Sequence, residues 1–395
     1  VTAGRAADVA VIGAGAFGGW TAWNLAERGA RVTLVDAWGA GHPRGTSSGE
    51  TRILRFSYGP KTIYSEWTHL SREIWRECEQ RWGVSLFVPC GVLWIWREEN
   101  EHYRSSVAAL AQLDEPWERL SSREAAKRFP QFALAADEFA LYEPGSGFLR
   151  AQVAVRMVAA QLAHRGVKVR RGWVAPPAAD GPRLESVRLT SEGRTSDLHA
   201  GAFVFACGPW LPQLFPDLLG RRIAVTRQDV FYFGAPAGDG RFETPQMPAW
   251  ADYESEFYGT PGCDVCGFKI ANNQSDSAFE PTSGERDAAP ETLEAARRYL
   301  PVRFPAMAGA PLVRARVCQY ERTPDSHVVL DRHPEYENVW LAGGGSGHGF
   351  KFGPALGGFL AGQLLGGGRE KIPAPMRLGA SVHLETGFLP PKGAF

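Results

Sequence analysis

Two glycine clusters, a pair of closely spaced arginines and a late lysine are the residues of this sequence best suited to chemistry. Gly13-Ala-Gly15-Ala-Phe-Gly18 follows the apolar run Asp8 to Ile12 and opens a Pro-free stretch, Ala16 to Arg28, that stops at Gly29. In such a strand–turn–helix the first glycine permits the tight turn. The second lets backbone approach a pyrophosphate, and the third lets the helix pack closely. The helix N-terminus then presents amides and a positive dipole end to phosphates. A second strand-like run, Arg31 to Val35, ends at Asp36, at the spacing of a carboxylate that grips a ribose hydroxyl. This pattern binds a dinucleotide without separating NAD from FAD. Arg44 lies in a loop beyond Asp36 and is too remote to mark a 2′-phosphate site.

The second glycine cluster is Gly343-Gly-Gly-Ser-Gly-His-Gly-Phe-Lys351, after the run Val339 to Ala342. It would bring backbone amides and a lysine to the far end of a long cofactor, a closure unlike that of nicotinamide enzymes. A lysine at the N1–C2 carbonyl edge of a flavin would stabilise the anion formed on reduction. In Gly49-Glu-Thr-Arg52-Ile-Leu-Arg55 two arginines stand three apart, on one face if the segment is helical. Each can take a carboxylate bidentately. Cys263-Asp-Val-Cys266 has half the spacing of a zinc or redox site but no second half, so no metal is expected.

The elements that position these groups read as a mixed α/β chain. Continuous apolar runs at Ala202 to Cys207 and Val339 to Ala342 suit strands buried on both faces of a parallel sheet. Elsewhere Gly91 to Trp96, Gln228 to Phe233, Phe257 to Gly259 and Cys266 to Ile270 suit a half-buried antiparallel sheet. The expected arrangement is a Rossmann-like dinucleotide domain from 1–86, 145–222 and 317–395, interleaved with an antiparallel-sheet α+β substrate domain from 87–144 and 223–316. At 395 residues the chain is long enough for two cores. Lys+Arg and Asp+Glu are both 43, so no net charge recruits nucleic acid or an anionic membrane. No apolar run reaches the 18 residues or so of a membrane span, and Val1 to Val11 is too short and polar for a secretory signal. Six irregularly spaced cysteines suggest a reducing cytoplasm.

Four segments in order carry a resemblance over essentially the whole length: Gly49 to Arg55, Tyr142-Glu-Pro-Gly-Ser-Gly147, Cys318-Gln-Tyr320 and Gly347-His-Gly-Phe-Lys-Phe352. On them the chain is similar to the monomeric sarcosine oxidase family, within the D-amino-acid-oxidase-like flavoenzymes. The resemblance implies FAD bonded through its 8α-carbon to the sulfur of Cys318, and a monomeric oxidase acting on a small amine or amino acid with O2. It implies that Arg55 and Lys351 bind the substrate carboxylate and that Arg52 lies close to the flavin ring. Lys269 activates oxygen, Tyr258 and Tyr320 line the pocket, and Thr51 lies beside the flavin. Ser47, Val174, Gly345, Gly347 and Gly349 join Gly13, Gly15, Gly18 and Asp36 as cofactor contacts; His348 takes no step. Ser47-Ser48 stands where the family carries paired histidines, and Asn273 where it carries a pocket histidine. With Trp250 in an unfamiliar Pro248-to-Tyr253 segment, that implies a substrate bulkier than sarcosine, or the reverse if Trp250 fills the space. A D-amino-acid or glycine oxidase with non-covalent FAD, and a dehydrogenase with another electron acceptor, remain as alternatives.

Overall fold

The apolar run before Gly13 forms the strand Ala7–Ile12, the Pro-free stretch forms the helix Ala16–Glu27, and the chain returns as Val32–Asp36. These come from a computed structural model that describes residues 7–178, 181–263, 266–273, 277–366 and 371–379. Segments 1–6 and 380–395 of the expected dinucleotide domain, and Asp264-Val265 between the paired cysteines, lie outside the described residues.

Ala7–Ile12 lies at the centre of an eight-stranded sheet. Val32–Asp36 and then Lys168–Arg171 lie to one side; Arg194–Phe205 and then Val339–Gly343 lie to the other, all parallel. Val329–Arg332 pairs antiparallel with Val339–Gly343, and the strands Ser186–Ser191 and Trp173–Val174 extend the first half of Arg194–Phe205. Strands covered on both faces need apolar residues throughout, which is why these segments read as unbroken apolar runs. Helices Ala16–Glu27, Ala151–His164 and Gly353–Leu364 pack together here, and Trp20 and Trp75 are almost fully buried among them.

A second eight-stranded sheet runs in the order Leu312–Arg322, Ala224–Phe233, Phe268–Asn272, Phe257–Thr260, Ala249–Asp252, Val92–Trp96, Phe139–Glu143 and Glu118–Ser121. Only the contact between Ala249–Asp252 and Val92–Trp96 is parallel. Side chains alternate across a strand, and the two faces differ sharply. Phe231, Phe233, Trp250, Phe268 and Ile270 face one core with Leu300 and Phe304 from the helix Pro290–Arg303 and its end. Val230, Tyr232, Ala271 and Cys318 face the other way. Trp250 therefore neither borders nor fills a substrate pocket. It is fully buried and stacks on Phe268 and Tyr299, on the far side of the sheet.

Two expectations change. The segment carrying Arg52 and Arg55 is not helical; Thr51–Leu54 is a strand paired with Gly147–Arg150, which also pairs with Phe87–Val88. The division expected at 316/317 falls inside one strand, because Leu312–Arg322 pairs with Ala224–Phe233 along nearly its whole length.

Candidate active site

Two adjoining cavities receive the residues singled out above. The larger, of about 320 Å³, is lined by Gly13, Gly15, Asp36, Ser47, Val174, Gly345, Gly347 and Gly349. The smaller, of about 70 Å³, is lined by Arg52, Arg55, Tyr258, Lys269, Asn273, Cys318, Tyr320 and Lys351. Arg52, Tyr320, Gly347 and Phe350 border both.

The larger cavity is built by backbone. Gly13 has φ +108°, and a Cβ there would lie 2.2 Å from the carbonyl oxygen of Ala206, so only glycine fits the turn. Gly18 does not line the cavity. A Cβ on it would strike the carbonyl oxygen of Gly13 at 1.9 Å, so it serves the packing of helix on turn. Asp36 ties the turn together: its Oδ2 accepts from the amide of Ala14 at 2.8 Å, and its Oδ1 accepts from Trp38 and Gly39 at 2.9 and 2.7 Å. The Ser47 hydroxyl accepts from the amide of Ala16 at 3.0 Å. Gly15 itself has no side chain to cap the helix, and beyond the Ser47 contact the following amides of the first turn are left for an anion. The indole N–H of Trp38 is buried with no partner among the described residues. An elongated cavity with a glycine floor, an uncapped helix end and a carboxylate fits a dinucleotide such as FAD.

The smaller cavity is crowded with cations. Arg55 is buried, with its guanidinium 4.0 Å from the ring centre of Tyr58 and 4.9 Å from that of Trp94, and it donates to the carbonyl of Ser57. Lys351 Nζ donates to the Tyr58 hydroxyl at 2.6 Å and to the carbonyl of His348 at 2.9 Å. Burial, and then Arg55, hold the Lys351 ammonium well below its ordinary range. Burial likewise lowers Arg55 and pushes the Tyr58 phenol up to about 12. Cations kept in so dry a place are costly unless an anion joins them.

Arg52 and Lys269 lie at the next turn of the wall. Arg52 donates to the carbonyls of Thr51 and Thr46 at 2.8 and 2.5 Å, and its guanidinium approaches Cys318 Sγ at 3.7 Å. Lys269 donates to the Thr51 carbonyl at 3.1 Å and lies 3.3 Å from its hydroxyl. Burial, and then Arg52, lower the Lys269 ammonium to about 7. Thr51 lines neither cavity; it anchors both cations. Tyr258 and Tyr320 share a hydroxyl–hydroxyl hydrogen bond of 2.6 Å, and burial raises both phenols.

Sequence reasoning left several contributors unassigned. Glu143 is fully buried and accepts from the Phe56 amide at 2.8 Å, the Ser146 hydroxyl at 2.7 Å and the Ser57 hydroxyl, fixing the chain just after Arg55. It sits inside the quoted segment 142–147, the one signal that could have found it. Tyr58 carried no such signal. His348 lines the smaller cavity, and its Nε2 faces the Ser326 carbonyl at 2.9 Å, so that nitrogen carries the proton. Burial and then Lys351 keep its ring neutral. Cys78, Cys90, Cys207 and Cys318 are free thiols, and among the described residues no group of three metal-ligating side chains occurs. No helix among them is long and apolar enough to cross a membrane.

A family model described as FAD dependent oxidoreductase matches residues 8–363. The chain is 33% identical over 370 residues to the monomeric sarcosine oxidase of Streptomyces avermitilis, covering 91% of this chain and 94% of that protein. It is 27% identical over 361 residues to the N-methyl-L-tryptophan oxidase of Yersinia pestis, covering 89% and 92%. The fold resembles that of the fructosyl amine:oxygen oxidoreductase Amadoriase I from Aspergillus fumigatus, with TM-score 0.79, 19% identity and coverage of 94% and 89%.

Proposed function

The chain belongs to the FAD-dependent oxidoreductase family, and from that premise we propose that it is an amine oxidase of the sarcosine oxidase type, acting on a small secondary amine or on an N-methyl or cyclic amino acid. The observation that carries this reading is the convergence of Arg55 and Lys351 on a small buried cavity whose wall also holds Cys318 and Lys269. The sarcosine and N-methyl-tryptophan oxidases among its relatives support it.

FAD, when bound, supplies a two-electron acceptor for the carbon–nitrogen bond. Arg55 and Lys351 clamp the substrate carboxylate and so orient the C–H bond to be broken. Four cationic side chains around the cavity disfavour an ammonium and favour the neutral amine that can be oxidised. The amine loses two electrons and two protons to become an imine, which water hydrolyses, and O2 takes up two electrons and two protons to become H2O2. The charged form of Lys269 stabilises the negative charge that oxygen acquires on the way. Cys318 is the proposed point of an 8α-thioether to FAD, with Arg52 beside its sulfur. The cofactor contacts proposed are Gly13, Gly15, Asp36, Ser47, Val174, Gly345, Gly347 and Gly349.

Trp250 gives no support to a bulky substrate, since it packs on the other face of the sheet. Asn273, Ala251 and Val230 keep the cavity wall small-sided. A small volume of about 70 Å³ with short side chains on its wall suits sarcosine, proline or pipecolate. The test is an anaerobic titration of the flavin absorbance with N-methyl, cyclic and primary amines, followed by oxygen consumption. Bleaching by none of them would overturn the reading.

A further inference from the structure

Along Leu312–Arg322, Cys318 lines the substrate cavity, Tyr320 borders both cavities and Glu321 lines the cofactor cavity alone. Glu321 is 7% exposed and has no place in the mechanism above. The amides of Gly344 and Gly345 donate to its carboxyl group, while its Oε2 is buried with no partner among the described residues. The surroundings are glycine backbone: positions where Cβ atoms would stand at Gly343 and Gly345 lie 3.4 Å from its oxygens, and that at Gly208 lies 3.6 Å away. Among the described residues no cation is near enough to hold a charge there. The titratable neighbour is the Cys207 thiol, which Asp36 approaches from its other side.

A carboxylate in this position would face the most electron-rich part of a dinucleotide with nothing to neutralise it. Two anionic groups sharing one dry site cannot both stay ionised. We propose that Glu321, which lines the cofactor cavity, binds as the neutral acid and donates its carboxyl O–H to an oxygen of the ribityl–diphosphate chain of FAD. The cavity wall supplies the reason: the carboxyl group lies against glycine backbone, and among the described residues no cation balances a charge on it. Burial pushes the Glu321 acid up to about 7 even before a phosphate approaches. This inference rests on FAD binding alone and is independent of which amine is oxidised.

The direction of the pH effect tests it. A group that binds only when protonated gives an affinity that is constant below its free-protein pKa and falls about tenfold per pH unit above it. A carboxylate that merely accepts from Gly344 and Gly345 would act in the opposite sense. FAD dissociation constants would be measured by flavin fluorescence on the full-length apoprotein in a Cys318→Ala background, with and without Glu321→Gln, from about pH 6 to pH 9. We expect FAD affinity to fall about tenfold or more across that range with Glu321 and to be flat with Gln, which keeps a neutral donor. Affinity that is flat or rising with pH in the Glu321 protein overturns the proposal. If Glu321→Gln does not fold, infrared spectra of the unaltered protein decide. A protonated-carboxyl carbonyl band that shifts when FAD binds supports the proposal, and its absence overturns it. Failure of FAD to bind at any pH would instead count against the family's cofactor assignment.

Discussion

Arg52 and Lys269 donate to the same acceptor, the carbonyl oxygen of Thr51, at 2.8 and 3.1 Å. One backbone oxygen thus holds two cations against the cavity that also contains Cys318, and the charge of Arg52 makes that of Lys269 harder to keep. Lys269 is the one whose proton is near its release point at neutral pH. Its ammonium, lowered to about 7, is charged below that value and neutral above it. The oxygen step should therefore be fast and flat below about pH 7 and should slow above it. Lys269→Met should slow reoxidation by about 10²–10³-fold, the scale of losing one electrostatic stabiliser, with much less effect on anaerobic reduction. Stopped-flow measurement of the two half-reactions checks this; equal losses in both would mean a packing role.

Acid-precipitated protein should stay yellow and fluorescent if Cys318 carries the flavin, and Cys318→Ala should release the colour into the supernatant. A bland alternative is a small buried cysteine, common in cores. Flavin wholly in the supernatant of the unaltered protein would select that alternative.

Small carboxylates such as acetate should compete with substrate and perturb the flavin spectrum. Arg55→Ala should weaken their binding about 30-fold, equivalent to the loss of one charge-assisted hydrogen bond of ~2 kcal/mol. Unchanged carboxylate affinity in this variant would remove Arg55 from the clamp.

Glu143 takes three donors with no water to replace it. Glu143→Ala should cost about 3 kcal/mol of stability from the stranded donors, read as a lower urea midpoint. It should also raise KM for carboxylate substrates more than it lowers kcat, because Ser57 and its neighbour Arg55 lose their anchor. A variant as stable as the parent would show that the segment is held by other contacts.

Among sarcosine, L-proline, pipecolate and N-methyl-tryptophan, kcat/KM should favour the first three. N-methyl-tryptophan as the best substrate would mean that the cavity wall of Ala251, Val230 and Asn273 yields on binding.

The dinucleotide end of the site was the easier to read because its rules are local. Gly13, Gly15 and Asp36 obey turn, helix and strand requirements within thirty or so residues, and the motif describes them together. The strands around Gln228 and Phe268 were legible as strands because alternation is a local signal too. Which face carried the pocket was not, and Trp250 shows why. Its segment has small and aromatic residues on both sides, so only its pairing with Gly259 and Leu93 decides which way the ring points. The conditional helical reading of Arg52 and Arg55 failed for the same reason: a distant partner, Leu149, makes the segment a strand. Glu143 and Glu321 went unassigned because their value lies in burial, which no spacing displays.

Val339–Gly343 is laid beside Arg194–Phe205 in the central sheet, and the glycine loop that follows it closes the cofactor cavity. The order of synthesis then matters. A nascent chain can have made its first βα turn, with Gly13 and the helix end complete, and still lack the wall that Gly345 to Gly349 provide. At about 5–20 residues per second, more than three hundred residues separate the two halves of one binding site, a delay of tens of seconds at the slower rate. From the time Arg194–Phe205 is made until Val339–Gly343 joins it, the half-built sheet exposes a hydrogen-bonding edge, the kind of unpaired edge on which other chains can add. Capture of FAD on this account waits for Gly345 to Gly349, and the exposed edge of the sheet is closed only just before it.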